Sequence, residues 1–414
     1  MQSSAVNRVS MNETPHLGTS VEDLQTVSNI AKIGTKSFME ENARIEALSL
    51  AKKLVASLQT PEEVVLHYAW ETASHRMALR LGVDLGLFRI LVDRSGESVS
   101  AIDIGNISHV ETQLIVRIMR VLSAIGFVTE LDRQLYTANG LTGAIATPSL
   151  AAATKIMHDN SAQVEMNLHN YFRTHGYTCP TDGANCAFQW TFNTNLTYFQ
   201  RIHSSAETLH DFNTFMAGYR NKHRHWVDWF PVEAELFDGF IDAPEKSGPL
   251  IVDVGGGNGH DLERFIARFP QAKDHLVLQD LTSTVAELGE LHPGIKAMAH
   301  DFFTPQPVRG ARAYYTHDVL HDWPDDKCRE ILRHLMTALR PAYSKILLNE
   351  SILPDKDCPS YWAAGDINMM AILAGKKRTR SDWIEIIQSV GFTNVRIWNS
   401  PFLSDEEGII EITL

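Results

Sequence analysis

Residues 248–270 read "GPLIVDVGGGNGHDLERFIARFP": a short apolar run, a glycine-rich turn, then apolar residues at helical spacing. A strand that is apolar on both sides must be covered on both, so this run commits its region to a sheet flanked by helices. The texture repeats downstream, where "HLVLQD", "ARAYYTH" and "SKILLNES" are each followed by a helical pattern or a loop. That alternation predicts an α/β fold with a mostly parallel sheet in the C-terminal half. Ligands of such sheets bind outside the carboxyl ends of the strands, and the site is expected there.

The half before it reads differently. Residues 1–20 are polar and are expected to form a disordered arm. "IEALSLAKKLVASLQ" and the run from "TPEEVVLHYAW" onward carry apolar residues at helical spacing, with Thr60 as a cap, Pro61 at the first helical position and Glu63 completing a capping box. Two helical stretches and two short alternating runs around "FVTELD" and "QLYTA" then outline a winged helix. Such a module either packs and dimerises or reads DNA. Within residues 111–125 only Arg117 and Arg120 are basic and most of the rest is apolar, which suits a partner helix better than a groove. The stretch "DGANCAFQWTFNTNLTYFQRIH" reads as a loop-rich connection. The expected domains are a helical winged-helix dimerisation domain over 21–190 and a catalytic domain over 191–414.

A formal charge of -13 argues against a phosphate backbone as partner. Cys179, Cys186, Cys328 and Cys358 show neither C-x-x-C spacing nor a matching His pair, so no metal site and no disulfide framework is expected. Nor does the sequence carry an apolar stretch long enough to cross a membrane, and a cytoplasmic location is the expectation.

In the glycine turn the spacing is Gly255-x-Gly257-x-Gly259 with His260 next, so the third glycine of a pyrophosphate fingerprint is missing. Asp253 lies inside the preceding strand, Asp280 ends the next, and Asp301 stands where a third should end, beside Phe302. Close backbone approach, a carboxylate for a ribose and an apolar wall suit a nucleoside without phosphates. Carboxylates also favour a sulfonium and repel a pyrophosphate. These residues predict a class I S-adenosylmethionine site. After the "ARAYYTH" strand come His321, Asp322 and Trp323. Methylating a phenol, whose pKa is about 10, calls for a base near the hydroxyl, and His321 is placed for it. Glu350, at the end of "KILLNE", is positioned to orient the imidazole.

Together "LIVDVGGGNGHDLERF", "DLTSTV", "HDFF", "VLHDWPDDKCREIL", "LLNESILP" and "NMMAILAGKKRT" resemble the plant caffeate-type and fungal O-methyltransferases over roughly residues 60–414. The resemblance implies a homodimer of a Rossmann-like domain and an interlocking helical domain, acting on a small aromatic or polyketide-type hydroxyl. It implies donor contacts at Gly255, Gly257, Asp280, Leu281, Asp301, Phe302 and His317. His321 resembles the general base and Glu350 the first of two flanking glutamates. Met369 and Met370 resemble residues that sandwich the acceptor ring, and His158 falls where fungal relatives line the pocket.

Two positions depart from the family. Its Gly-Lys-Glu-Arg-Thr stretch here reads "GKKRT", so Lys377 replaces the second flanking glutamate, and His317 stands where relatives commonly carry Lys or Arg. An ammonium about 5 Å from an imidazolium costs roughly 3 kcal/mol at an effective dielectric near 20. Lys377 is therefore expected either to depress the pKa of His321 or to point away, with Lys376, Arg378 and Arg380 left as surface charges. Some fungal members of the family bind the same donor yet catalyse dehydration or pericyclic ring closure, and Lys377 could polarise a substrate for such chemistry. Both activities stay open at this point.

Overall fold

The structure is a computed structural model that describes residues 41–220, 224–240, 248–401 and 407–414. The expected arm at 1–20 lies outside the described residues. The chain divides into two compact units: 41–85 with 97–137, and 86–96 with 138–401 and 407–414.

In the first unit Thr60 starts a helix as its residue type requires. Its hydroxyl accepts the Glu63 N–H at 3.2 Å while the Glu63 carboxylate accepts the Thr60 N–H at 2.8 Å. Pro61–Leu66 leads through one wide turn at His67–Glu71 into Thr72–Asp84. Helices Ala101–Ser108 and Thr112–Ala124 follow, and three short strands, β1 (Val99–Ser100), β2 (Thr129–Asp132) and β3 (Leu135–Thr137), pair antiparallel in the order β1-β3-β2. Ile115, Ile118, Met119 and Leu122 form the buried stripe of the 112–124 helix.

The second unit holds the sheet that the sequence predicts. β4 (Ile251–Val254), β5 (Leu276–Asp280), β6 (Ile295–Ala299), β7 (Ala313–His317) and β8 (Lys345–Leu353) pair in parallel in the order β8-β7-β4-β5-β6. β9 (Arg378–Thr379) pairs with the end of β8, while β11 (Glu407–Thr413) pairs antiparallel with β8 and β10 (Asn394–Asn399) antiparallel with β11. Side chains alternate between two cores, as period-2 geometry demands. Ile251, Ala313, Tyr315 and Leu347 enter one with Trp226 and Phe265; Val252, Tyr314, Ile346 and Leu348 enter the other with Leu332 and Trp383.

Residues 182–203 correct the loop-rich reading, because helices Ala187–Phe192 and Tyr198–His203 lie there. Side chains, not hydrophobic periodicity, set them up. The Gln189 carboxamide accepts the Cys186 N–H at 2.9 Å and donates to the carbonyls of Gly183 and Leu196, and Thr197 caps the second helix. A third core of Phe188, Tyr198, Ile202, Ala371 and Ile372 joins them to helix Ser360–Leu373.

Trp226 stacks between Tyr315, at 4.9 Å, and Phe265, at 5.6 Å, and its indole N–H has no hydrogen-bond partner among the described residues. Trp226→Ala is expected to cost about 3–5 kcal/mol in urea denaturation. Trp226→Phe, which keeps a ring and removes the orphaned donor, is expected to cost under about 1.5 kcal/mol.

Candidate active site

β4 ends in the glycine turn. Gly255 has φ +77, and a Cβ built on it lies 3.0 Å from Val319 and 3.6 Å from the ring of Phe302. Only glycine leaves that space open in that backbone. The amide of Gly257 donates to Asp280 Oδ2 at 2.9 Å and that of Leu281 to Oδ1 at 2.8 Å. Three of the expected donor contacts, Gly257, Asp280 and Leu281, thus meet, with Asp280 fixed by backbone donors and its remaining lone pairs available for a diol. Phe302 closes one side, packed edge-on against Phe303 and Trp323. Asp301, one residue before Phe302, is exposed and accepts the Phe303 N–H at 3.0 Å. A glycine cradle that a Cβ would fill, a fixed carboxylate and an aromatic wall fit the nucleoside end of S-adenosylmethionine.

His317 ends β7. Its Nδ1 lies 2.8 Å from Asp261 Oδ2, and the other oxygen of Asp261 lies 2.6 Å from His225 Nε2. Burial works against charge on His317, and Asp261 first, then Asp318 and Glu407, outweigh it and hold its pKa well above the ordinary value. Asp261 pays the same burial penalty, yet His317 and His225 keep its carboxyl far below the usual range. Those three carboxylates, Asp261, Asp318 and Glu407, therefore hold His317 toward its protonated form.

His321 sits in the short turn Leu320–Asp322 that follows β7. Its Nδ1 is 2.8 Å from Glu350 Oε2, and the other oxygen of Glu350 accepts the amides of Val319 at 3.1 Å and Leu320 at 2.6 Å. Glu350 is fully buried. One carboxylate therefore fixes both the imidazole and the turn that carries it. Asp318 lies 3.5 Å from Nδ1 and Asp322 lies 3.4 Å from Nε2. Burial opposes the imidazolium, but Glu350, Asp322 and Asp318 prevail and raise the His321 pKa to about 10. Asp322 itself is raised to about 6 by burial, with Glu350 and Asp318 adding to the effect.

Of the two alternatives expected for Lys377, a depressed His321 pKa is not found, since His321 is raised to about 10. The Lys377 ammonium donates to Ser351 Oγ at 3.0 Å and its amide to Asp366 at 2.9 Å, and three carboxylates set the charge around the imidazole instead. Arg378 is a second correction, because it is not a surface charge but completely buried. It donates to Asp325 from Nε and Nη2, to the carbonyls of Leu320 and Lys376 from Nη1, and to that of Trp323 from Nη2. A planar fork of donors is what such a cluster of carbonyls requires. Lys376 does remain half-exposed, bonded to Asp382, and Arg380 is exposed. Gly375 is forced by contact, since a Cβ there would lie 2.4 Å from the His321 carbonyl oxygen. That oxygen accepts the Lys376 N–H at 2.9 Å.

Met369 and Met370 lie near the end of helix Ser360–Leu373, which packs against both the His321 turn and the wide helical turn Met157–Ala162 that contains His158. The Nδ1 of His158 is buried without a hydrogen-bond partner among the described residues. Sequence reasoning missed Asp261, His225 and Asp318. Position was the available signal for Asp318, which directly follows the carboxyl end of a parallel strand. Among the described residues no helix is long and apolar enough to cross a membrane.

Gly255→Ala combines left-handed strain with loss of the cradle. It is expected to weaken S-adenosylhomocysteine binding by about tenfold or more in titration calorimetry, with the fold retained by circular dichroism.

A family profile described as an O-methyltransferase domain matches residues 240–393. The chain is 36% identical to the O-methyltransferase penC of Penicillium thymicola over 90% of this chain and 92% of that one. It is similar to LepI in complex with SAM, at 27% identity and a TM-score of 0.78, covering 95% of this chain and 100% of that one. It is equally similar to a structure described as a pericyclic reaction enzyme, at 27% identity and a TM-score of 0.78, covering 94% and 100%. S-adenosylmethionine is accordingly the cofactor of this chain. With that likeness over nearly its whole length, the chain belongs to the S-adenosylmethionine-dependent O-methyltransferase family, whose fungal members work in secondary metabolism.

Proposed function

We propose that this protein transfers a methyl group to a hydroxyl oxygen of a small aromatic or polyketide-type metabolite, with His321 accepting the hydroxyl proton. The observation that carries the reading is the buried Glu350–His321 pair at 2.8 Å, locked by two amide N–H groups. Bound S-adenosylmethionine supplies an electrophilic methyl group. Gly255, Gly257, Asp280, Leu281, Asp301, Phe302 and His317 hold and orient it, and His158, Met369 and Met370 line the acceptor side. A base with a pKa of about 10 matches a phenol of about 10, so the proton passes between groups of nearly equal affinity. Such a base acts only in its neutral form.

Other expectations join this reading. Leu58, Val65, Leu66, Tyr68 and Trp70 are exposed apolar side chains on the first unit's helices, the surface a homodimer would bury. That surface suits a winged-helix dimerisation domain over 21–190 preceding the catalytic domain over 191–414. Thiols outside any disulfide accord with the cytoplasm.

A second reading draws on the same charge. An imidazolium at His321 donates a hydrogen bond, and with Lys377 it could polarise a substrate carbonyl for dehydration or ring closure without methyl transfer. The likeness to a pericyclic reaction enzyme favours it.

Methyl-labelled donor incubated with a panel of phenolic polyketides and 2-pyridone precursors separates the two. Label in product, lost by more than about a hundredfold in His321→Ala, is the expected result. Product of unchanged mass with no donor consumed sinks methyl transfer. Lys377→Glu is expected to retain or raise transfer; abolition of the native reaction would make Lys377 catalytic.

A further inference from the structure

Asp318 joins β7 to the His321 turn and has no part in the reading above. Its backbone is left-handed, φ 54, a region that Asp and Asn tolerate better than most side chains. Its amide donates to the carbonyl of Asn349 at 3.1 Å, which ties the junction to β8. As a result its carboxylate lies between two histidines. Oδ1 is 3.5 Å from His321 Nδ1 and Oδ2 is 3.8 Å from His317 Nε2. With the Asp318 side chain 20% exposed and that of His321 13%, water screens the pair only weakly.

Other groups also face His321 or the turn that carries it. Glu350 reaches Nδ1 from β8, and Asp322 faces Nε2 from the same turn. From the 375–378 segment come Lys376, whose amide meets the His321 carbonyl and whose ammonium goes to Asp382; Lys377, bonded to Ser351; and Arg378, bonded to the Leu320 carbonyl. Tyr198 is coupled electrostatically to Asp322. Segment 375–378 thus brings no carboxylate to the imidazole, and the Lys377 ammonium bonds Ser351. Asp318 is the group that shares Nδ1 with Glu350.

The structure assigns Asp318 as the second carboxylate partner of His321, a positioning residue that holds the Nδ1 proton alongside Glu350 and turns Nε2 toward the acceptor. The assignment deepens the reading of His321 as proton acceptor and rests on it. Oδ2 of the same carboxylate lies 3.8 Å from His317 Nε2, so the base and the proposed donor-side cation share one counter-ion. A change of charge at either histidine is therefore felt at the other.

Asp318→Asn removes the charge and keeps a residue that accepts the left-handed backbone; Asp318→Gly does so by another route. The full chain is labelled with 13C at histidine Cε1 and titrated by NMR between pH 6 and 11, the His321 signal being the one missing from His321→Gln. Its midpoint is expected to fall by about one to three pH units in either variant. An unchanged midpoint in a folded variant overturns the assignment, and a purely structural role would leave it unchanged. The titration needs no turnover, so it stands apart from the test of methyl transfer. Methylation that survives His321→Ala would remove the base while leaving this result intact.

Discussion

The site depends on one buried carboxylate. Glu350 lies in the middle of β8, two residues past the apolar run Ile346–Leu348, and has no exposure to water, so burying it there requires hydrogen-bond partners. One oxygen takes two consecutive amides of the turn after β7 and the other takes the imidazole of His321. The sheet supplies this placement, because β7 and β8 are parallel neighbours with His317 opposite Asn349. The next residue along β8 therefore sits beneath the next turn.

The "GKKRT" stretch clamps the same turn from the other side. Gly375 admits the His321 carbonyl at a distance that no side chain would allow, and Arg378 gathers the carbonyls of Leu320 and Trp323 onto one guanidinium with Asp325 as its counter-ion. Holding a charged base between a buried carboxylate and a buried guanidinium cluster restricts where Nε2 can point. Orientation of this kind is what proton transfer to a base requires. The acidic surroundings have a second effect: they make His321 a strong base that is charged at neutral pH.

Much of this was legible in the sequence. Short apolar runs alternating with helical patterns announced β4, β5, β7 and β8, and Asp280 stands at the end of β5, close to the glycine turn. The rest escaped for physical reasons. Helices 187–192 and 198–203 rest on side-chain capping by Gln189 and Thr197, which apolar periodicity does not reveal. Arg378 looked like one charge in a basic run, yet its burial follows from carbonyls more than fifty residues away in sequence. The direction of Lys377 depended on Ser351, a residue with no distinguishing sequence signal. Asp318 was overlooked because only a left-handed backbone brings its carboxylate back toward two rings.

The central claim is that Glu350, Asp322 and Asp318 make His321 a high-pKa base for methyl transfer. It is tested most directly by the pH dependence of kcat/KM for the acceptor found with labelled donor, since that profile reports ionisation in the free enzyme. A base raised to about 10 is protonated below that value, so the neutral fraction grows about tenfold per pH unit. The account predicts a rate that climbs from pH 7 toward about 10 in the wild type. A profile already level at pH 7 would contradict it.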